Sequence, residues 1–163
     1  LGYMVCAQNN RDMDEKYNNF DIDRFVGAGA RYEVGDSSEI KVFAASFEER
    51  LTDIKRNFIH LAYKYQEGYW QLLSEAAYSK VDSGDISKSV AGGFLQGRYK
   101  LSNKNYAIAR YEYYMDAYER ERQHLGVVGY NYRPIYPVSF KVEYQFSSVA
   151  DRSKVLCSIS ALF

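Results

Sequence analysis

The nine residues "VSFKVEYQF" (138–146) alternate strictly between apolar and polar side chains. The apolar side chains are those of Val138, Phe140, Val142, Tyr144 and Phe146. Successive side chains of a β-strand point to opposite faces of the sheet, whereas the side chains of a helix repeat every 3.6 residues. The stretch therefore predicts a strand with one apolar face and one polar face.

The same period of two recurs along the chain, in "RFVGAGARYEV" (24–34), "FIHLAYKY" (58–65), "GFLQGRYKL" (93–101) and "YAIARYEYYM" (106–115). Seventeen Tyr, nine Phe and one Trp against only two Pro also favour strands. We predict about ten strands from the alternation and its breaks. Their expected ranges are 1–9, 21–34, 39–49, 57–66, 69–79, 89–101, 105–115, 124–133, 138–147 and 155–163.

Short and long connections are expected to alternate between these strands. The short breaks lie at 35–38, 66–68, 102–105 and 133–137. The longer, charged breaks lie at 10–19, 50–56, 80–88, 116–123 and 148–154. Short turns on one side and longer loops on the other are typical of an antiparallel up-and-down β-barrel that crosses a bilayer. A soluble β-sandwich would show the same alternation within its strands. The prediction of a membrane barrel therefore depends on the alternation of short and long loops, on a strand length of about ten residues and on the aromatic residue at the C-terminus.

Composition argues against several other classes of protein. The formal net charge is +0 and the sequence pI is near 6.9, so we expect no nucleic-acid partner. No run approaches the roughly 20 apolar residues of a membrane helix. Cys6 and Cys157 lack the spacing of a metal or redox site, so neither a metal nor a cofactor is predicted. With His60 and His124 as the only histidines, we predict no enzymatic activity.

The chain ends in "VLCSISALF" (155–163), in which every second residue is apolar. A terminal Phe after such a row resembles the C-terminal signal of bacterial outer-membrane β-barrels. The resemblance implies an outer-membrane location, and it implies that the barrel-assembly machinery recognises Phe163 together with Ala161 and Ile159.

The last third of the chain also resembles porins of the phosphate-selective porin O/P type. In those barrels a "RYE/DYY" strand, an "LGxNYRP" strand and a "VxFKxxYQ" strand precede the final one, and the matching segments here are 110–114, 125–134 and 138–145. The resemblance implies a porin-like channel, although no segment matches the anion-binding loops of those porins. Such barrels have about sixteen to eighteen strands. Residues 1–163 are therefore expected to form either one small outer-membrane barrel domain or, as we favour, the C-terminal part of a larger one.

The polar phase of the strands supplies candidates for a pore lining. They are Arg31, Glu33, Lys64, Glu75, Gln96, Arg98, Lys100, Arg110, Glu112, Arg133, Lys141 and Glu143. Basic side chains outnumber acidic ones, so a water-filled pore with this lining would weakly prefer anions. In the alternative, opposite charges on neighbouring strands pair and fill a narrow barrel. That barrel would be a non-conducting outer-membrane anchor or protein-interaction module.

The expected partners are those of an outer-membrane protein: the lipid bilayer, lipopolysaccharide, the barrel-assembly machinery, and a second copy or another outer-membrane protein. Charged loops are usually solvated. A contact with lipopolysaccharide or a partner protein through 10–19 or 116–123 is the second interpretation of these loops.

Overall fold

The computed structural model describes residues 1–11, 22–49, 54–84, 86–115, 122–135, 137–149 and 152–161. In these residues ten strands form one antiparallel sheet, and each strand pairs with its neighbours in sequence. The strands are β1 (Gly2–Arg11), β2 (Ile22–Val34), β3 (Ser38–Glu49), β4 (Lys55–Glu67), β5 (Trp70–Ser83), β6 (Ile86–Lys100), β7 (Asn105–Met115), β8 (Arg122–Tyr132), β9 (Val138–Ser147) and β10 (Lys154–Ala161). Within the described ranges, no helix is long and apolar enough to span a membrane.

The predicted all-β, up-and-down order is confirmed, but the predicted loop at 80–88 is wrong. β5 continues to Ser83 and β6 begins at Ile86, and these two residues pair with each other. Gly84 has a φ of +53°, a backbone conformation that glycine adopts at little cost, so the chain can reverse within a tight turn. The charged residues of this stretch belong to the end of a long hairpin.

Cross-strand pairing assigns every strand residue to one of two faces, because directly opposed residues of an antiparallel ladder share a face. The polar face includes the pairs Arg31 and Lys41, Glu39 and Lys64, Gln71 and Arg98, Gln96 and Arg110, and Asn131 and Lys141. The apolar face includes the pairs Ala30 and Val42, Tyr65 and Leu72, Leu95 and Tyr111, Tyr130 and Val142, and Phe140 and Ile159. The two faces stay distinct from β1 to β10.

Burial is inverted relative to a soluble sheet. On the apolar face, Leu61 is 48% exposed, Val142 49% and Ile159 73%. The buried apolar residues of the described ranges are on the polar face, and they are Ala45, Val81, Ile108 and Val127. A soluble sandwich would cover its apolar face with a second layer. Here the apolar face is bare, as in a barrel whose outer surface contacts lipid.

Two rows of aromatic side chains border the apolar face. The row near the short turns consists of Tyr32, Tyr63, Tyr65, Trp70, Tyr99, Tyr130, Tyr132 and Phe140. The row near the opposite end consists of Tyr78, Tyr111, Tyr113, Tyr144 and Phe146. Hydroxyl groups in both rows bond to polar side chains, as Tyr65 does to Glu67 (2.7 Å) and Tyr78 to Ser89 (2.8 Å). Rings with an apolar body and a polar end are typical of the membrane–water interface.

The sheet has two free edges. In the part of the chain that the structure describes, no ladder joins β1 to β10, so the ten strands form an open wall and not a closed barrel. The residues of β10 from Lys154 to Ala161 are exposed throughout.

Gly93 and Gly97 both lie on the apolar face of β6 and provide a matched pair of substitutions. A Cβ at Gly93 would lie 2.6 Å from the backbone oxygen of Glu75, whereas a Cβ at Gly97 would meet nothing within 4 Å. We expect Gly93→Ala to lower the free energy of unfolding by about 1–3 kcal/mol, because the β5–β6 ladder must spread. Gly97→Ala should change it by less than about 0.5 kcal/mol. Denaturant unfolding in detergent micelles measures both, and equal effects would contradict this packing.

Candidate functional site

The twelve residues predicted to line a pore all belong to the polar face. Arg133 follows β8, and its N–H donates to the carbonyl oxygen of Lys104 (2.7 Å). The other eleven lie in strands, and they are Arg31, Glu33, Lys64, Glu75, Gln96, Arg98, Lys100, Arg110, Glu112, Lys141 and Glu143. The strand pairing thus brings together on one surface residues that the sequence distributes over six strands and the segment after β8.

An ion-pair network joins β2 and β3 near their short turn. Arg31 Nη2 lies 2.6 Å from both Glu33 Oε1 and Glu39 Oε2, and Lys41 Nζ lies 3.0 Å from Glu39 Oε1. Glu39 is the least exposed member, at 17%. The charges of this network largely cancel, so it contributes little net potential to the polar face.

Two further ion pairs run along single strands. Arg110 Nε lies 2.6 Å from Glu112 Oε1 on β7, and Lys141 Nζ lies 2.9 Å from Glu143 Oε1 on β9. These two pairs lie within one strand, whereas the ion pair between Arg31 and Glu39 joins neighbouring strands. Residues two apart in a strand share a face, so each carboxylate reaches the cation of its own strand first.

Three basic residues near the other short turns form what we call the basic cluster: Arg98, Lys100 and Arg133. The guanidinium carbons of Arg98 and Arg133 lie 4.5 Å and 5.6 Å from the ring centroid of Tyr106, and Lys100 pairs directly with Tyr106 across the β6–β7 ladder. Among the described residues, none of the three forms an ion pair with a carboxylate. The aromatic ring positions the two guanidinium groups and leaves their charge uncompensated.

A hollow of about 370 Å³ lies beside the basic cluster, with Tyr106, Arg133, Ser139 and Ser160 in its lining. Arg133 and the Ser160 hydroxyl supply hydrogen-bond donors to this space, whereas the Ser139 hydroxyl already donates to Asn131 Oδ1 (3.2 Å). Asn103, Ile135, Pro137 and Val138 complete the lining, so the hollow places one cation beside both polar and apolar surface.

The two histidines lie on opposite faces and cannot form one site. His60 Nε2 is 3.5 Å from Glu75 Oε2 on the polar face, and the His124 ring bonds to the Tyr111 hydroxyl (2.5 Å) on the apolar face. In the described ranges, no group of His, Cys, Asp and Glu side chains is arranged to hold a metal ion.

Sequence reasoning missed several residues of the polar face. Glu39, Lys41 and Tyr106 could have been found from the phase of β3 and β7. Among the described residues, five phenylalanines also lie on this face, and four of them lie close together, at Phe25, Phe43, Phe47 and Phe58. No local pattern gives their clustering, because the pairing of three strands brings them together.

The predicted assembly signal is only partly within the described ranges. Ile159 and Ala161 pair with Phe140 and Val138 on the apolar face. Phe163 lies outside the described residues.

Comparisons with known proteins show a likeness of fold alone. No protein-family model matches the chain, and no curated protein matches it. Among solved structures, it is similar to the anion-selective porin from Comamonas acidovorans, with a TM-score of 0.67 and 13% sequence identity. The match covers 85% of this chain and 45% of the porin, so the chain spans less than half of the porin's length. The fold is that of a porin β-barrel wall; the closer resemblance to the O/P type stays a prediction.

Cys6 and Cys157 report on the two faces, because Cys6 pairs with Gly27 on the polar face and Cys157 pairs with Val142 on the apolar face. In native membranes, we expect a charged thiol reagent to modify Cys6 faster than Cys157. A lipid-soluble maleimide should reach Cys157. Intact mass after labelling of the Cys6→Ser and Cys157→Ser variants measures each rate. Faster reaction of Cys157 with the charged reagent would reverse the assignment of the faces.

Proposed function

We propose that this chain forms part of the wall of a porin-like channel in a bacterial outer membrane, and that the channel passes small solutes by diffusion with a weak preference for anions. The inverted burial and the two aromatic rows support the membrane location. The fold likeness to an anion-selective porin supports the channel. Passive diffusion requires no catalytic step.

The basic cluster carries the proposed anion preference. The networks of Arg31 and Arg110 hold each cation against a carboxylate at 2.6 Å, whereas Arg98, Lys100 and Arg133 keep a net charge. Of the twelve candidate lining residues, seven are basic and four acidic. Charges of one sign on a confined, water-filled surface raise the local concentration of the opposite ion.

The two free edges require partners in a bilayer. An unpaired strand edge exposes N–H and C=O groups that lipid cannot satisfy, and each such group costs several kcal/mol. We infer that further strands pair with β1 and β10 and complete a barrel wider than these ten strands. The porin's greater length is consistent with this inference.

The apolar face is the proposed contact with lipid, and the charged residues beyond its second aromatic row are the proposed contact with lipopolysaccharide. These outward residues include Arg24, which bonds to Glu48 (2.9 Å), and Lys80, which lies 3.1 Å from Asp82. Their height, just beyond the apolar band, is where the polar groups of an outer leaflet lie. We keep a second copy or another outer-membrane protein as a further proposed partner.

Charge reversal of the basic cluster tests the channel. In planar bilayers, the native protein should show the reversal potential that is expected of a pore that prefers anions. Joint replacement of Arg98, Lys100 and Arg133 by Glu should shift the reversal potential toward that of a cation-preferring pore, because the electrostatic potential of the lining changes sign. The control is the same substitution at Lys55, Lys80 and Arg122, which lie on the apolar face. An unchanged potential would contradict the anion preference, and no conductance would favour a non-conducting barrel.

Deletion of Phe163 tests the proposed assembly signal. We expect the deletion to reduce the amount of folded protein in the outer membrane, because the terminal aromatic residue acts in recognition by the assembly machinery. Immunoblotting of separated membranes measures this amount. The control is Leu156→Ala, which lies on the polar face of β10. Equal membrane levels of the native chain and the deletion would remove the role of Phe163.

A further inference from the structure

A cluster of aromatic rings interrupts the polar face of β2, β3 and β4. Ring centroids are 6.4 Å apart for Phe25 and Phe47, 6.4 Å for Phe47 and Phe58, and 5.7 Å for Phe43 and Phe58. We call these four residues the phenylalanine cluster. All four side chains are half-buried. Several apolar side chains of this face, such as Val127, are buried, whereas this cluster leaves apolar surface toward water.

Two glycines of β2 allow the phenylalanine cluster to pack closely against the sheet. A Cβ at Gly27 would lie 2.8 Å from Cζ of Phe43, and a Cβ at Gly29 would lie 2.9 Å from its Cδ2. Real Cβ atoms do not approach so closely, so the Phe43 ring lies across positions that only glycine leaves free. The ring is therefore held in a fixed place on the polar face.

A hollow of about 370 Å³ adjoins the Phe43 ring on the polar face, with Met4, Gly29, Arg31, Lys41 and His60 among its other lining residues. Met4 and Phe43 supply an apolar floor. Met4 is 55% exposed, and a flexible thioether adapts to the shape of a ring placed against it. The volume is in the range of small-molecule sites.

Cationic groups at the rim of this hollow keep unused donors. Both ion pairs of Arg31 use the same atom, Nη2, while a guanidinium group has five N–H donors. Lys41 Nζ, with three donors, has one carboxylate partner, Glu39, among the described residues. Both side chains are 53% exposed. An anionic group can therefore reach Arg31 and Lys41 from the water-filled side.

We propose that this hollow binds small solutes that combine an aromatic ring with a carboxylate. The ring packs on Phe43 and Met4, and the carboxylate bonds to Arg31 and Lys41. This proposal rests on the proposed channel function, because it names the class of solute that would bind to the polar face while diffusing through the channel. Binding at equilibrium is a separate property from conduction, so each can fail without the other.

The test is equilibrium binding to the native protein, purified from its membrane into deuterated detergent, by saturation-transfer NMR. The probes are benzoate, acetate and benzamide, which separate the ring from the charge. One ring–ring contact is worth up to roughly tenfold in an equilibrium constant, so benzoate should bind about tenfold more tightly than acetate. Benzoate should also bind more tightly than benzamide, because only the carboxylate accepts charge-assisted hydrogen bonds.

Phe43→Ala should bring the affinities for benzoate and acetate to within about twofold of each other, since it removes the ring contact. The matched control is Phe94→Ala, on the polar face of β6 and outside the phenylalanine cluster. Lys41→Gln should reduce the preference for benzoate over benzamide. If Phe43→Ala does not fold, Met4→Ser tests the same floor and should weaken benzoate binding about threefold.

Equal binding of benzoate and acetate to the native protein would overturn the proposal, and would leave the phenylalanine cluster a role in wall packing alone. A preference for benzoate that survives Phe43→Ala would overturn the location. Equal binding of benzamide and benzoate would overturn the role of Arg31 and Lys41. Conductance of the same sample in planar bilayers tests the channel itself: a sample that binds benzoate but carries no current would contradict the proposed function and not the site.

Discussion

Strand register is the constraint on which the rest of this structure depends. The β4–β5 ladder is unbroken from Lys55 to Glu67, and the tight turn that contains Gly68 fixes its start. A slip of one residue would move every side chain of a strand to the opposite face. In a bilayer it would turn Arg110, at the middle of β7, toward lipid at a cost of about 2–4 kcal/mol, and Lys64 or Arg98, nearer the short turns, at a cost of about 0–1 kcal/mol. Correct strand pairing therefore also places the charged side chains on the polar face.

Because the apolar face is bare, a shared apolar core does not hold these strands together. The closest packing lies instead on the polar face, where Val127 is 2% exposed and Asn131 donates to the Ser139 hydroxyl oxygen at 2.9 Å. Backbone ladders supply the cohesion, and polar side chains satisfy one another where the wall is dense. The basic cluster keeps an uncompensated charge, and the ion-paired cations at the rim of the Phe43 hollow keep unused donors. These two regions are the proposed places of contact with a solute.

The sequence alone could predict the strands and the placement of Lys64, Arg98 or Glu143, because alternation is local and its phase can be read residue by residue. It could not predict ion-pair partners, since Glu39 meets Arg31 only through the β2–β3 register. The phenylalanine cluster was missed for the same reason. The sequence of residues 80–88 predicts a loop, because charged side chains at the water-exposed end of a long strand give that segment the composition of a loop.

The directions of the edge strands limit the size of the complete barrel. β1 runs away from the end that carries the turns of Gly35 and Gly68, and β10 runs back toward that end. The two edges are thus antiparallel to each other. If every neighbouring pair in the finished barrel is antiparallel, the strands added between β10 and β1 must be even in number. Under this condition, parity alone excludes eleven-, thirteen- or fifteen-stranded closures.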